Sequence, residues 1–390
     1  MGSVTKRGKK WRLKVELGYD ANGKRRSPAT KTVEAKNMTE AKQLLAEFTT
    51  EVKSGTYLKP TKISFERFTK IWDEYYAAEE LEDTTRQDYN YLLNADINVY
   101  FGSFYLEEIS LFLLKKYFDE KKESGMSPSS LEKRHRVLRS VFKWAKKWRF
   151  IKEDNMVDIP TPRVPRVRRT VYNNSELEAF FATLLVNDKI LLRHKVIICI
   201  FLSAALRKGE LLGLDMEEDI FIDESYIIVR RSLQRTKESG YKLKQTKGGL
   251  ERAVPIPAFV CELLAEYQKE RLREKELCGE SFKTLTDHNG IEVSLLFANA
   301  DGKPFYPKTI NQFWNRHIEN YGFKKITIHE MRHTAATYLT DSIDMKTLQE
   351  FLGHQKFETT ANTYSKSTDE RLKKIGLKFN NLAPTKKSQI

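Results

Sequence analysis

The sequence predicts a multidomain α+β protein with three parts. The first is a small N-terminal three-stranded β-sheet plus one helix, the second is all-α, and the third is mixed, mainly α, with a small antiparallel sheet. Three observations support this prediction. The chain of 390 residues is too long for one ordinary domain, strand-like alternation near its start gives way to long helical periodicity, and two proline-containing segments separate the parts.

Residues 1–57 are the predicted β-rich domain. Apolar and polar residues alternate over residues 11–17, as they do in a half-buried strand. A turn signal, Asp-Ala-Asn-Gly, separates this strand from residues 25–35, which are predicted as further strand. Helical spacing follows, with Asn37 or Thr39 as the N-cap. We expect the sheet to present its basic residues to solvent.

The second domain, residues 63–157, follows a linker at residues 54–62 that contains Gly and Pro. Its apolar residues recur at helical spacing throughout. Ser127-Pro-Ser is predicted to begin the last helix, which extends to Trp148. The sequence gives the many basic residues of this helix few acidic neighbours. His135, in the same run, is predicted as a surface residue.

A second hinge, residues 160–169, contains three prolines and four arginines. Beyond it, residues 170–385 are the predicted third domain, in which helical patterns surround strand-like segments. Lys247-Gly-Gly is predicted at the tip of a β-hairpin that resumes at Arg252. Gly353 is predicted as the C-cap of a helix over residues 343–351.

The net charge indicates that the binding partner is negatively charged. The chain has 68 Lys and Arg against 53 Asp and Glu, a net charge of +15, which favours nucleic acid first and an anionic membrane second. No stretch approaches the ~18 apolar residues of a membrane span. Three cysteines without a CxxC pair argue against a disulfide-rich secreted protein or a Cys-based zinc finger. We expect a cytoplasmic, nucleoid-associated protein with no membrane partner.

Ten basic residues are predicted to contact DNA phosphates, four in the β-rich domain, three on the last helix of the second domain and three in the hinge. They are Arg12, Lys14, Arg25, Arg26, Arg134, Arg139, Lys143, Arg163, Arg166 and Arg168. For the first two groups, the alternative is a basic surface that only contacts solvent.

His329-Glu-Met-Arg-His333 matches HExxH, the helical zinc motif of metalloproteases. A third ligand would be needed, and Arg332 inside the motif repels a dication. Zinc and peptidase activity are therefore a minority interpretation. In the other interpretation, His329 and Arg332 are three residues apart and share one helix face.

Further chemistry-bearing residues follow a fixed order. They are Arg207 in ALRKGELLGL, Lys247 in QTKGGLERAVPIP, His329 and Arg332 in IHEMRHTAATYL, His354 in LGHQKF, and Tyr364 in ETTANTYS. This ordered set resembles the tyrosine recombinase, or phage integrase, family. The resemblance extends over nearly the whole chain. Residues 1–57 resemble the arm-site-binding domain of integrases from Gram-positive phages and conjugative transposons, and residues 63–157 resemble the family's helical core-binding domain.

Two departures from the family pattern are visible. Ala204-Ala205-Leu206 stands where the family has a small residue, Gly and Leu, and Asn155-Met156 stands where it has Asn-Pro. Neither changes a residue that the resemblance assigns to the chemistry.

The resemblance implies DNA strand transfer without a metal, another cofactor or ATP. Arg207 and Arg332 would bind the phosphate as two guanidinium forks, and Tyr364 would be the nucleophile of a 3′-phosphotyrosyl intermediate. His329 would be its base, Lys247 the acid for the 5′ oxygen, and His354 a hydrogen-bond donor to the phosphate. Competing or accessory residues are Lys242 and Lys244, which share the hairpin with Lys247, Glu210, which orients Arg207 or caps its helix, and His333, a structural residue.

The family also implies a homotetramer acting at core and arm attachment sites, with an excisionase and a host DNA-bending protein. The two large domains would clamp duplex DNA as a C shape, joined by the Arg-rich hinge. Residues 369–390, where apolar residues lie among lysines, are hypothesised to dock on a neighbouring protomer. Two other functions stay open: a recombinase that resolves chromosome or plasmid dimers, and a DNA-binding regulator without cleavage activity. The β-rich domain favours integrase over the first, and the complete residue set disfavours the second.

Overall fold

The computed structural model describes residues 2–54, 62–165, 170–246, 248–249, 251–340 and 343–353. The chain divides into two compact units, Met1–Arg166 and Val167–Ile390. The division lies within the predicted hinge at residues 160–169, and the first unit contains both the β-rich and the helical regions. The predicted α+β fold class is confirmed, while the three-domain boundaries stay a prediction.

The first unit begins with a three-stranded antiparallel sheet in the order β1-β2-β3, followed by one helix. The elements are β1 Gly2–Arg7, β2 Lys10–Val15, β3 Ala29–Val33 and α1 Met38–Lys53. Leu13 and Val15 point to the buried side of β2 and pack against Phe48 of α1, which confirms the predicted alternation. Asn37 is the N-cap, because its side chain accepts a hydrogen bond from the backbone of Glu40.

The second predicted strand is shorter than the sequence suggested. Residues 25–28 lie in the connection before β3, where Pro28 has no N–H to donate to a strand ladder. The predicted turn at residues 20–23 is present, with Gly23 at φ 74°. Arg25 and Arg26 therefore lie on a loop and not on the face of the sheet.

Helices form the rest of the first unit. They are α2 Phe65–Trp72, α3 Ala78–Glu80, α4 Asp83–Leu92, α5 Asn98–Phe101, α6 Leu111–Glu123 and α7 Pro128–Lys147. Two π-helical turns, Asp73–Ala77 and Leu93–Ile97, connect α2 to α3 and α4 to α5. Ser127 caps α7 and Pro128 takes its first position, as predicted.

The environment of α7 corrects two predictions. His135 is buried and not on the surface, and its Nε2 lies 2.9 Å from the carbonyl oxygen of Ile159. The basic residues of α7 also have acidic partners. Arg134 pairs with Asp96, 38 residues earlier, which spacing along one helix does not reveal, whereas Arg136 pairs at 2.6 Å with Glu132 of α7 itself.

The second unit is built around α9, whose residues are buried on nearly every side. Its helices are α8 Asn174–Val186, α9 Leu192–Ser203, α10 Lys208–Leu212, α11 Ala258–Cys278, α12 Thr309–Tyr321, α13 Ile328–Leu339 and α14 Met345–Leu352. Because α11 and α13 both pack on α9, the chemistry-bearing residues of α13 lie on a rigid support.

The strands of the second unit form small antiparallel sheets. They are β4 Ile220–Phe221, β5 Tyr226–Val229, β6 Arg231–Thr236, β7 Gly240–Gln245, β8 Arg252–Pro255, β9 Leu285–Thr286 and β10 Glu292–Val293. β5 and β6 follow each other directly, and they pair with β8 and β7 respectively. Together these four strands make one long hairpin that changes sheet partway along.

This topology corrects the place predicted for the tip of the hairpin. The hairpin turns at residues 237–239, where Gly240 has φ 67° and pairs with Thr236. Because β7 pairs with β6 and β8 pairs with β5, the segment between β7 and β8 joins strands of two different sheets, and Lys247, in that segment of the sequence, lies outside the described residues. The sequence offers two turn-like segments, Lys-Glu-Ser-Gly and Lys-Gly-Gly, and residue types alone do not show which of them joins paired strands.

Among the described residues, no helix is both long enough and apolar enough to cross a membrane. Cys199, Cys261 and Cys278 are free thiols.

Candidate active site

Arg207 stands at the start of α10 because the chain makes a sharp turn just before it. Ala205 has φ 49°, in the left-handed region that favours glycine. It is one of the two departures from the family pattern noted above. Its methyl group is fully buried beside Ala336 of α13 and Leu352 of α14, so contacts in this small core offset the backbone strain. The Arg207 side chain is 29% exposed, so a ligand in solvent can reach it.

A buried carboxylate, Glu210, joins three arginines from three elements. Its Oε1 accepts a hydrogen bond of 2.6 Å from Nη1 of Arg207, and its Oε2 accepts one of 2.7 Å from Nη2 of Arg252. Nη1 of Arg332 lies 4.0 Å from Oε2. The backbone N–H of Arg207 also donates to Oε2 at 2.9 Å. Glu210 thus both caps α10 and orients Arg207, the two roles predicted for it.

Arg332 is buried on α13, in contrast to Arg207. Its Nη1 donates to the carbonyl oxygen of Ala205 and its Nη2 to that of Leu352, each at 2.5 Å. These bonds fix the guanidinium in one orientation beside Glu210. The fixed orientation suits a preorganised site, because no side-chain rearrangement is needed when charge develops.

The C-terminal end of α14 receives one hydrogen bond from each arginine. Arg252 donates to the carbonyl of Phe351 at 3.3 Å, Arg332 to that of Leu352, and Arg207 to that of Gly353 at 3.1 Å. These are carbonyls that a helix leaves without intrahelical partners, at the negative end of its dipole. Gly353 ends the helix in the left-handed conformation, φ 63°, which confirms the predicted C-cap.

The electrostatics of the cluster depend on Glu210. Burial by itself would raise the pKa of its carboxyl group, but the neighbouring Arg252 and Arg207 outweigh this effect and lower the pKa below its usual value. The carboxylate is therefore ionised at neutral pH. Three guanidinium groups around one carboxylate leave an excess of positive charge, which attracts an anion such as a phosphodiester.

His329 and His333 lie close together on α13, as HExxH spacing requires. Their ring centroids are 4.7 Å apart and nearly perpendicular. Glu330, however, forms a capping box with Thr327, accepting from its backbone N–H at 2.7 Å. Within the described part of the chain, no group of three or more His, Cys, Asp or Glu is arranged to hold a metal ion. His329 is exposed, whereas His333 is buried.

The predicted DNA contacts of the β-rich region divide into two environments. Arg12 and Lys14 share the face of β2 that turns away from α1. Glu16 pairs with Lys14 at 2.7 Å and with Arg25 at 3.3 Å, so one partly exposed carboxylate binds two of the residues predicted to contact DNA. Arg26 is exposed on the same loop as Arg25.

The predicted contacts of α7 differ in availability. Lys143 is exposed, and Arg139 is 43% exposed with Asp154 4.0 Å away. Arg134 is only 14% exposed, and it pairs with Asp96 inside the helical region. A phosphate contact by Arg134 would therefore require this ion pair to break.

Arg163 in the hinge is exposed. Five predicted site residues lie outside the described residues. They are Arg166, Arg168, Lys247, His354 and Tyr364. The cluster of Arg207 and Arg332 is thus the part of the predicted catalytic set that the structure brings together.

Arg252 is a site residue that the sequence patterns missed, since they marked it only as the point where a hairpin resumes. One available signal was its position shortly after Lys247, in a chain whose catalytic candidates include two arginines. The pairing of Arg252 with Glu210, 42 residues earlier, depends on tertiary structure and has no local pattern.

The fold and the site together define a class: a mainly α unit with small antiparallel sheets, in which arginines converge on a buried carboxylate and can bind an anionic group. The chain belongs to the phage integrase family, whose family model matches residues 171–371, just over half of the chain. It is a tyrosine site-specific recombinase, as the resemblance predicted.

Curated relatives and solved structures agree with this assignment. A "tyrosine recombinase XerC-like" protein of Caldanaerobacter subterraneus subsp. tengcongensis is 24% identical over 93% of this chain and 94% of its own length. XerC of Myxococcus xanthus is 28% identical over 64% of this chain and 75% of its own length. The Tn1549 transposon integrase in complex with circular intermediate DNA has TM-score 0.64 at 21% identity, covering 80% of this chain and 98% of that one.

A lambda integrase tetramer bound to a Holliday junction has TM-score 0.58 at 16% identity and covers 94% of this chain and 96% of that chain. At such identities, these structures establish the likeness of fold.

Proposed function

We propose that the protein is an integrase that cuts and rejoins duplex DNA at attachment sites through a 3′-phosphotyrosyl intermediate, and so integrates or excises a mobile element. One observation carries the proposal. Arg207 and Arg332 converge on buried Glu210 and on the end of α14, the helix that leads along the chain to Tyr364.

The chemistry follows from what phosphodiester cleavage requires. Negative charge builds up on the non-bridging oxygens, and a guanidinium fork matches their geometry while remaining charged at any usable pH. The phenolic oxygen of Tyr364 forms a bond to phosphorus as the bond from phosphorus to the 5′ oxygen breaks. The phenol proton passes to His329, and Lys247 gives a proton to the 5′ oxygen. His354 donates a hydrogen bond to the phosphate.

Rejoining reverses these steps with a new 5′ hydroxyl as the attacking group. Because the phosphotyrosyl bond conserves the energy of the broken phosphodiester, the reaction proceeds without ATP. The arginine cluster supplies the positive charge that a metal ion supplies in other phosphoryl transfers.

The remaining parts of the chain provide DNA binding and assembly. In this proposal the β-rich region binds arm sites, while the helical region, with Arg139 and Lys143, and the Arg-rich hinge contact core sites, as phosphate-contacting cations do. Four protomers assemble on two duplexes, with an excisionase and a host bending protein, at the nucleoid. Deleting residues 369–390 should reduce assembly on paired sites and spare single-site binding. Unchanged assembly would contradict the docking hypothesis.

The direct test is covalent trapping on nicked attachment-site DNA, in EDTA, with denaturing gels. Wild-type protein should give a DNA-linked band, Tyr364→Phe should give none, and Tyr338→Phe should match wild type. Tyr338 is a suitable control because it is an exposed tyrosine on α13. Absence of the band for wild-type protein on DNA that it demonstrably binds would contradict the proposal and favour the DNA-binding regulator.

A second candidate, a recombinase that resolves chromosome or plasmid dimers, fits the Xer names of the curated relatives. The β-rich region favours the integrase. The two functions separate when the substrate is varied: an integrase should form the covalent band on DNA from the flanks of a mobile element, and a resolving enzyme on a chromosomal or plasmid site.

A further inference from the structure

Arg252 connects two parts of the active-site cluster, Glu210 and the end of α14, although it is absent from the predicted catalytic set. It is the first residue of β8 and follows residues 246–251, the connection that contains Lys247. Its side chain is 12% exposed. Its Nη2 lies 2.7 Å from Oε2 of Glu210, and its Nε donates to the carbonyl of Phe351 at the end of α14.

We propose that Arg252 is a positioning residue for strand transfer: it holds Glu210 and the end of α14 in place, and thereby fixes Arg207 against the phosphate. This inference rests on the proposed function. Arg252 itself does not contact the phosphate in this proposal and acts through Glu210.

The hydrogen bonds of Glu210 support this role. Its Oε1 accepts a hydrogen bond of 2.6 Å from Nη1 of Arg207 and a longer one of 3.4 Å from Nη1 of Arg252, while its Oε2 accepts from Nη2 of Arg252 at 2.7 Å and from the backbone N–H of Arg207. Without Arg252, Oε2 would lose the guanidinium that lies 2.7 Å from it, whereas Nη1 of Arg332 is 4.0 Å away. A buried carboxylate moves toward the remaining cation, so it would rotate and change the angle at which Arg207 meets the phosphate.

The guanidinium fork of Arg252 is essential to the proposal. Its Nη2 and Nε reach two different elements at once, a carboxylate on α10 and a carbonyl of α14. A lysine in its place keeps the charge but carries a single ammonium group on a flexible stem, so it cannot form the same bridge. Arg252→Lys therefore separates geometry from charge.

Gly353 gives independent evidence that space has been left for Arg252. A Cβ atom at this position would lie 2.9 Å from Nη1 and 3.0 Å from Cζ of Arg252. The position also has φ 63°. Glycine is therefore required twice, by the helix cap and by the guanidinium that packs against it.

The experiment measures cleavage and binding separately on nicked attachment-site DNA. We expect Arg252→Gln to lower the single-turnover rate constant of covalent adduct formation about 100-fold and Arg252→Lys about 10-fold, with the Kd for DNA within about 3-fold of wild type. Arg271→Gln is the matched control, because Arg271 is also a buried arginine that binds a carboxylate, Glu274, and a carbonyl, Asn299. Its rate constant should match wild type.

A second substrate identifies the route by which Arg252 acts. In DNA with sulfur at the bridging 5′ position, the leaving group is a thiol of pKa ~8.5, which needs no proton from an acid. The Arg252→Gln defect should persist on this substrate, since it arises from the arginines that bind the phosphate. If sulfur restores the wild-type rate, Arg252 acts on leaving-group protonation and the proposal is wrong.

The proposal is also wrong if Arg252→Gln and Arg271→Gln lower the melting temperature equally while both retain the wild-type rate constant, because Arg252 would then be only structural. These outcomes differ from failure of the proposed function, which would appear as absence of any adduct with wild-type protein before any variant is tested.

Discussion

The arginines of α7 and the arginines of the candidate active site are neutralised in opposite ways. On α7, three arginines approach three different carboxylates, Arg134 near Asp96, Arg136 near Glu132 and Arg139 near Asp154. At the active site, three arginines share the single carboxylate of Glu210. The first arrangement gives each arginine a different carboxylate, although Asp96 also binds Lys121, whereas the second leaves three arginines and one carboxylate with a formal charge of +2.

We infer from this difference that the arginines of α7 mainly maintain the fold, whereas those of the active site are available to bind a ligand. A paired arginine must break an existing contact before it binds a phosphate, and the cost of breaking it offsets the gain. The active-site arginines satisfy their donors partly with the backbone carbonyls of α14, which carry no formal charge. A phosphate therefore adds charge compensation beyond that of the Glu210 carboxylate.

The largest effect is expected from Glu210→Gln. Removing the shared carboxylate leaves three guanidinium groups close together without a counter-charge, and breaking such a buried interaction costs about 3–5 kcal/mol of the free energy of unfolding. Covalent adduct formation should fall at least about 100-fold, because Arg207 loses its orientation. Denaturant unfolding and the trapping assay measure the two effects.

Asp96→Asn is the matched control in the helical region, because Asp96 binds both Arg134 and Lys121. It should also destabilise its own unit, but protein that remains folded should form the adduct at the wild-type rate. If Asp96→Asn lowers the rate as much as Glu210→Gln, the two kinds of arginine do not differ in function.

The sequence predicts much of the fold because many of its signals are local. Alternation in β2, the Ser127-Pro128 start of α7 and the Gly353 cap each depend on a few neighbouring residues, and all three are confirmed. The tip of the hairpin was predicted at the wrong segment because two segments contain turn-like residues, and only strand pairing shows which of them joins paired strands.

The residue types of the site were predictable from the sequence, but the hydrogen bonds and ion pairs between them were not. Ordered motifs identified Arg207 and Arg332, and the structure brings them to the same carboxylate. The structure also adds Arg252 and the carbonyls of α14, which arrive from segments far apart in sequence. His135 was predicted on the surface because the basic residues around it suggested exposure, whereas the carbonyl of Ile159, 24 residues later, gives it a buried partner.

A partly buried histidine makes the stability of the second unit depend on pH. In the catalytic unit, burial, with help from His317, Arg193 and Arg316, lowers the pKa of His194 to about 4. The unfolded chain binds this proton near pH 6.5, so stability from neutral His194 is complete above pH 6.5 and is lost as the pH falls toward 4. We expect the melting temperature of the catalytic unit to decrease between pH 7 and pH 5.

His194→Phe should reduce this decrease, because His194 stacks on Phe313 with ring centroids 4.2 Å apart and a phenyl ring retains the stacking. His288→Gln, at an exposed histidine, should leave the pH profile unchanged. Thermal unfolding followed at several pH values measures both variants, and equal profiles for His194→Phe and wild type would contradict the assignment to His194.

The smallest effect concerns shared carboxylates at the surface. Glu16 pairs with both Lys14 and Arg25, and the hydrogen bond from Lys14 lowers its pKa, so it is ionised at neutral pH and opposes phosphate binding there. Glu16→Gln should raise the affinity for arm-site DNA about 2- to 4-fold at low salt, with the difference vanishing as salt screens it. Glu34→Gln is the control, because the ion pair of Glu34 in the described part of the chain is with Lys10, which is not a predicted contact. Equal gains from the two variants in a salt titration would mean that net charge, and not the face bearing Lys14, controls binding. A gain confined to Glu16→Gln would mean that the way cations share a carboxylate affects phosphate binding at the surface as well as at the active site, although solvent reduces the effect at the surface.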